Sequence, residues 1–321
     1  MTNKEIYAEW VKTQSRLPLF MQPWWLDAVC AGKEWNVILI FGDESEQSVI
    51  AAMPYLLRSK WWMKWITMPQ QTQIGGLWLD EHRMFSPEEL KAVCQQVSQM
   101  LETLKLHYYY QQFPVGSPCP ELFSSLGFKV KERVTYRIDD LSDLDKVIDG
   151  FSKNKKRQLQ KALSLHAESN ISGEEFYTLH QQWLARQKRT ISYSREFLLV
   201  VEQKLRKRHQ SQILTICNPD HEPYAAALLV WDSQRMYYLL PCFNPDCKES
   251  GAGSLLVLEA LKLAREKGLS FDFEGSMIRS VAQHYKQFGS TPCTYYGVEK
   301  YYNGWFRIPM FWNWLCTRKY N

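Results

Sequence analysis

The sequence predicts a mixed α+β protein built from two domains of similar plan. Three observations carry that expectation. The 321 residues exceed what one ordinary core organises, so two domains are expected. Short alternating apolar runs bounded by Gly, Pro, Asn and Asp interleave with longer stretches of helical period. One order of elements then occurs twice: a long helix, a strand, a short helix, a glycine and a closing strand. Hydrophobic residues at 45% and charged residues at 23% exclude a disordered chain. The 13 Trp are expected to fill cores or line pockets.

In chain order, residues 20–30 read as a short helix with Pro23 in its first turn. Residues 36–41 and 49–57 read as a hairpin of strands, with Pro54 marking an edge or a bulge. Trp61, Trp62 and Trp65 precede a polar run and Gly75-Gly76, a strand and loop whose rings belong to the core or form a platform for a substrate. Ser86, Pro87, Glu88 and Glu89 start a helix: a cap, proline at the first helical position and acids in the first turn. That helix is expected to reach about residue 106. A strand at 107–113, a short helix at 120–126 and a strand at 129–138 follow.

The second half repeats the order. Residues 144–162 are helical in two pieces broken near Gly150, and further helices start at Ser172 and at residue 195. Strands are expected at 212–217, 225–231 and 235–241. A helix at 254–267 ends at Gly268, then come a strand at 269–274, a short helix at 279–288 and a last strand at 294–301. Trp305, Phe306, Phe311, Trp312 and Trp314 in the tail are expected in a core or a domain seam. The division is placed at 1–142 and 143–321.

The opening residues lack the basic start and apolar run of a signal peptide, and no apolar run reaches the roughly 18 residues of a membrane span. The eight Cys form no C-x-x-C and read as reduced thiols of a cytoplasmic protein, with no metal expected. The net charge of +5 is uneven. Residues 151–210 hold 13 Lys/Arg and 5 Asp/Glu, which points to an anionic partner there.

The chemistry concentrates between residues 248 and 289. Ser250, Gly251, Ala252, Gly253 and Ser254 make a glycine turn into a helix. Such a turn lets backbone N–H groups approach a phosphate, and the helix dipole favours the negative charge. The first copy of the plan has no glycine at the matching place, so only the second is expected to hold a pyrophosphate. In strand 269–274, Phe271 and Phe273 face one way, and Asp272 and Glu274 the other. Carboxylates about 7 Å apart on one face repel, which raises one pKa. Asp272 reads as a structural acid or part of a substrate rim, and Glu274 as a general base. Tyr285 could give a proton to a leaving thiolate, while His284 is expected to face solvent. Lys153, Lys156 and Arg157 make a solvated helix face or a phosphate-binding rim.

SGAGSLL, FDFEGS and the Tyr285–Gly289 segment resemble the core of the GNAT acyltransferase superfamily. Residues 151–162 are similar to the basic helix that enters the second domain in its FemAB-like branch. The resemblance implies two tandem GNAT-like domains, each a mixed, mostly antiparallel sheet flanked by helices, the first without a cofactor site. It implies transfer of an acyl group from acyl-CoA, acetyl-CoA among them, to an amine, with the pyrophosphate on Ser250 to Ser254. In the peptidoglycan-building branch the donor is an aminoacyl-tRNA and the acceptor a cell-wall precursor; that is the alternative. A GNAT pair that binds a ligand without catalysis is the third reading. The chain departs from the pattern in having no basic residue inside the turn, Lys248 standing just before it. It also has no long heptad pair like the helical arm of some relatives.

Overall fold

The computed structural model describes residues 1–30, 35–42, 48–275 and 277–302. A helix the sequence reading lacks comes first: Thr2 and Glu5 form a reciprocal capping box on α1 (Asn3–Val11). Proline opens α2 (Pro23–Val29). Strands β1 (Trp35–Phe41) and β2 (Val49–Lys60) pair antiparallel. Strand β2 continues through Pro54 because its other edge is shared. It pairs with β3 (Met63–Ile66) over Leu57 to Lys60 and with β4 (Trp78–Leu79) at Ala51 and Ala52. Pro54 falls between those ladders, where a missing N–H is tolerated.

The Ser86–Glu89 capping box starts α3 (Pro87–Thr103). The helix stops short of residue 106 because Lys105 turns left-handed, φ +52°. It carries the chain over to β5 (Tyr108–Phe113), which lies parallel to β3. Helix α4 (Cys119–Ser125) and strand β6 (Lys129–Ile138) complete the first copy of the plan.

The second copy opens with α5 (Leu144–Asp149) and α6 (Lys153–Lys161), broken at Gly150 as expected. A short strand β7 (His166–Glu168), unforeseen in the sequence, precedes α7 (Gly173–Arg186) and α8 (Arg195–Arg206). Strands β8 (Ser211–Cys217), β9 (Pro223–Trp231) and β10 (Arg235–Phe243) form an antiparallel run that β7 joins at its edge. Helix α9 (Ala252–Glu266) then crosses to β11 (Ser270–Asp272), parallel to β10. Helix α10 (Arg279–Lys286) and β12 (Thr291–Tyr301) finish the chain described. In both copies an antiparallel run passes through a long helix to a parallel neighbour, so the repeat seen in the sequence is a repeat of topology.

The compact units do not follow the 142/143 division. One comprises Met1–Arg133 with Thr294–Asn321, the other Val134–Cys293. Strand pairing sets this. Strand β12 pairs with β5, so its residues complete the first unit, while β6 pairs with β11 through Arg137 and Ile138 and completes the second. Each plan is closed by the other's last strand.

Each unit has its own core. In the first, Val93, Cys94, Val97 and Leu101 of α3 pack with Ile38, Met53, Tyr109 and Phe113. In the second, Leu256, Val257, Ala260, Leu261 and Ala264 of α9 cover Leu229, Met236, Tyr238 and Phe271. Both helices bury one stripe at helical spacing. Trp65 is buried, but Trp61 and Trp62 stand exposed between β2 and β3. The aromatic tail lies outside the described residues. No helix among the described residues is long and apolar enough to cross a membrane.

Candidate active site

The second unit opens where β10 outruns its partner. Strand β10 pairs with β11 only from Arg235 to Tyr237, yet continues to Phe243. A short 3-10 turn (Pro245–Ser250) then leads to α9. Gly251 caps α9 in the left-handed region, φ +82°. A Cβ there would stand 2.0 Å from the Gln158 carbonyl oxygen, so the position admits only glycine. The Ser254 hydroxyl donates to Gln158 Oε1 at 2.5 Å, fastening α6 to the turn. The Ala252 N–H donates to Ser250 Oγ, 3.2 Å, and that hydroxyl to the Cys247 carbonyl, 2.6 Å.

A cleft of about 320 Å³ results, lined among others by Lys155, Gln158, Phe243, Gly251, Gly253 and His284. All five turn residues therefore stand at or beside it. Lys155 is its one deeply buried cation, 3% exposed. Its Nζ lies 3.2 Å from Gln158 Oε1, 3.2 Å from His284 Nδ1 and 4.6 Å from the Phe288 ring centroid. Burial lowers the Lys155 ammonium to about 8. Burial, then the Lys155 charge, lowers His284 to about 4, so the imidazole is neutral near pH 7. With Lys155 as an ammonium, Nδ1 accepts and the ring proton lies on Nε2. The arrangement offers an anion a desolvated cation beside a helix N-terminus.

Two expectations change here. His284 is half-buried against Lys155 rather than turned to solvent. Lys153, Lys156 and Arg157 are not in the cleft wall. Lys153 is exposed, Lys156 pairs with Asp149 at 3.2 Å, and Arg157 donates to Asn154 at 3.2 Å. Lys155 between them is the residue that turns inward. The sequence held a signal for it: Phe151, Lys155, Leu159 and Ala162 fall on one helical face, the apolar one.

The acidic pair is resolved into two roles. Asp272 is wholly buried and forms no rim. It takes the Arg137 Nε at 2.7 Å, the Thr135 hydroxyl and the Glu274 N–H at 2.8 Å. Glu274 lies past the end of β11 with φ +58°, an unusual backbone for a glutamate. Gly275 follows at φ +31°, where a Cβ would meet the Val134 carbonyl oxygen at 2.2 Å. This left-handed pair is why the strand ends at Asp272 rather than at residue 274. The Glu274 Oε1 is buried with no hydrogen-bond partner among the described residues. Burial, then the Asp272 charge, pushes its carboxyl well above the usual range.

Tyr285 stacks on Phe273 with centroids 4.7 Å apart. Burial, then the charges of Glu274 and Asp272, push its phenol up to about 12. The fold thus brings Glu274 and Tyr285 into one electrostatic neighbourhood. Helix α10 places His284 on the cleft and Tyr285 in the adjoining core.

Residues 150–287 match the family described as an acetyltransferase (GNAT) domain. This part of the chain is therefore similar to the GNAT superfamily. Among solved structures, the crystal structure of FemX matches the whole plan, with TM-score 0.67 at 13% identity over 92% of this chain and 96% of that one. A tandem GNAT protein from the clavulanic acid biosynthesis pathway matches with TM-score 0.58 at 9% identity, over 93% and 94%. A conserved protein of Bacteroides thetaiotaomicron VPI-5482 matches with TM-score 0.60 at 12% identity, over 92% and 95%. At these identities the likeness is one of fold: the chain has the tandem GNAT architecture. No curated protein matches its sequence. The stretch that matches the GNAT domain lies within the unit that holds the glycine turn.

Proposed function

We propose that the second unit is an N-acyltransferase that draws an acyl group from acyl-CoA and passes it to an amine. The observation that supports this best is the cleft at the start of α9. There Gly251 to Ser254 and the buried Lys155 converge on a space suited to a pyrophosphate. When bound, acyl-CoA supplies an activated carbonyl as a thioester.

The protein's own groups then divide the work. The α9 N-terminus and Lys155 hold the anionic end. The acceptor nitrogen forms a bond to the acyl carbon as the carbon–sulfur bond breaks. One proton leaves nitrogen for the ionised Glu274 carboxylate, and one reaches the departing sulfur from the Tyr285 hydroxyl. A raised carboxyl pKa makes Glu274 a stronger base toward an amine than an ordinary carboxylate. Asp272, closed by Arg137, positions the Glu274 backbone.

Calorimetric titration with acetyl-CoA and longer acyl-CoAs tests the reading. Saturable binding that is lost in Gly251→Glu is the expected result, and absence of binding to every acyl-CoA ends it. A second reading, an aminoacyl-tRNA donor with a peptidoglycan-precursor amine as acceptor, draws on the net +8 of residues 151–210. Retention of tRNA that weakens steeply with salt supports that reading; salt-independent or absent retention excludes it.

A further inference from the structure

The second unit carries a cluster of ligating side chains that acyl transfer does not use. His166 and Glu168 lie two residues apart on β7, so both side chains leave one face of the strand. His166 is level with Cys217, the last residue of β8, which places it beside the turn that leads to β9. His221 occupies that turn with φ +64°. Glu168 Oε1 is 2.7 Å from His166 Nε2 and 2.6 Å from His221 Nδ1. One oxygen and two imidazole nitrogens thus converge, all within 4.8 Å of one another. The rings stand nearly perpendicular, at 87° with centroids 5.5 Å apart, so the two nitrogens approach from different directions.

We infer that His166, Glu168 and His221 form a binding site for a divalent zinc-like cation. Two imidazoles and a carboxylate are a donor set of borderline softness that suits zinc, with solvent as the fourth ligand. Tetrahedral bonds of about 2.0–2.1 Å separate ligand atoms by about 3.3 Å. The carboxylate oxygen must therefore withdraw by well under 1 Å from each imidazole, a side-chain adjustment. Access is open, since the His166 and His221 side chains are 41% and 75% exposed. Bound metal would tie a three-residue edge strand to the hairpin turn beside it. Neither His221 nor the strand β7 was legible as a site in the sequence, where 53 residues separate His221 from Glu168.

The test uses the full chain, stripped with a chelator and titrated with Co²⁺. One equivalent of cobalt with the intense visible bands of a tetrahedral site is expected. One equivalent of Zn²⁺ should displace it, since zinc binds such sites more tightly. His221→Asn keeps the turn, because asparagine tolerates the left-handed region. It should weaken cobalt binding by about 100-fold or more, beyond the 10–100-fold typical of losing an outer partner. Should that variant not fold, Glu168→Gln decides instead, as its amide oxygen still accepts from both imidazoles. In thermal melts, Zn²⁺ should stabilise the parent chain and not the variants. No cobalt band in the parent, or binding unchanged in both variants, would mean a hydrogen-bonded cluster and overturn the inference.

Discussion

Lys155 Nζ lies 3.2 Å from His284 Nδ1 at the floor of the cleft in the second unit. The two residues are 129 positions apart in sequence, and the Lys155 charge adds to burial in lowering the affinity of His284 for a proton. Among the described residues the hydrogen-bond partners of this buried ammonium, Gln158 and His284, are neutral, so it is poorly stabilised by its surroundings. Under the proposed function it receives the anionic end of the donor.

Anion binding should therefore take up protons. Lys155 titrates at about 8 in the free protein, and a bound pyrophosphate would raise that value. Near pH 8 a sizeable fraction of molecules should gain a proton on binding CoA, and almost none near pH 6. Calorimetry in buffers of differing ionisation enthalpy reads this directly, and a buffer-independent heat at pH 8 would contradict it. The same group affects stability. A lysine whose folded pKa is depressed to about 8 destabilises the fold fully below that pH, and the penalty fades toward the ordinary lysine range. Lys155→Met should stabilise the protein near pH 7 by on the order of 2–3 kcal/mol while abolishing CoA binding. Chemical denaturation at pH 7 and pH 10 checks the sign, the gain being larger at pH 7.

Glu274 gives a pH dependence of its own. Its folded pKa is raised by burial and by Asp272. Below the usual carboxylate range the folded and unfolded chains both hold the proton, so no difference exists there. As pH rises through that range the unfolded chain ionises first, and stability falls until the folded carboxyl ionises too. Glu274→Gln should remove this decline. Melting temperatures of the two proteins should converge at acid pH and separate toward neutral pH, the variant losing less. If Glu274 is the base, kcat of the parent should rise with pH as the carboxyl ionises, and the variant should lose about 100-fold or more of it. A variant with full kcat and the parent's pH profile would remove Glu274 from the chemistry.

The parts legible in the sequence are those written locally. The capping boxes at Ser86 and Ser172, the break at Gly150 and the glycine turn before α9 are set by neighbours a few residues away. The repeated plan followed, because periodicity reports each element. Pairings across the chain were not legible. The exchange of closing strands needs the β12–β5 and β6–β11 registers, which no local pattern encodes. Lys155 was hidden among Lys153, Lys156 and Arg157, since a basic run reads as solvent-facing until its helical phase is followed. The left-handed backbone at Glu274 has no signature at that residue. It is imposed by Gly275 beside it and by the Val134 carbonyl that crowds the turn.

Gly251 makes the sharpest test of the turn. Alanine there meets both a left-handed backbone and the Gln158 carbonyl at 2.0 Å. The backbone term alone is about 1–2 kcal/mol, and relieving the overlap must move α6 away from α9. Gly251→Ala is expected to lower stability by more than about 2 kcal/mol and to reduce CoA binding at least tenfold. Denaturant titration and calorimetry report the two effects. Unchanged binding would show that the turn is only a helix cap.

Asp272 is the last link, because it joins stability to the site. Its carboxylate is fully enclosed and closed by Arg137, whose side chain is 8% exposed. Asp272→Asn keeps the shape but leaves the Arg137 charge without its counter-ion. Breaking a buried pair on one side costs about 3–5 kcal/mol. The Glu274 N–H also loses a charged acceptor, so the left-handed turn should loosen. A second variant separates the effects. Thr135→Val removes one hydrogen bond to Asp272 while leaving the ion pair. It should cost about 1 kcal/mol and leave kcat close to that of the parent. Asp272→Asn should lower both stability and kcat, with the KM for acyl-CoA little changed because the cleft at α9 is untouched. A large rise in that KM with kcat preserved would assign Asp272 to donor binding and reverse the division of roles drawn between it and Glu274.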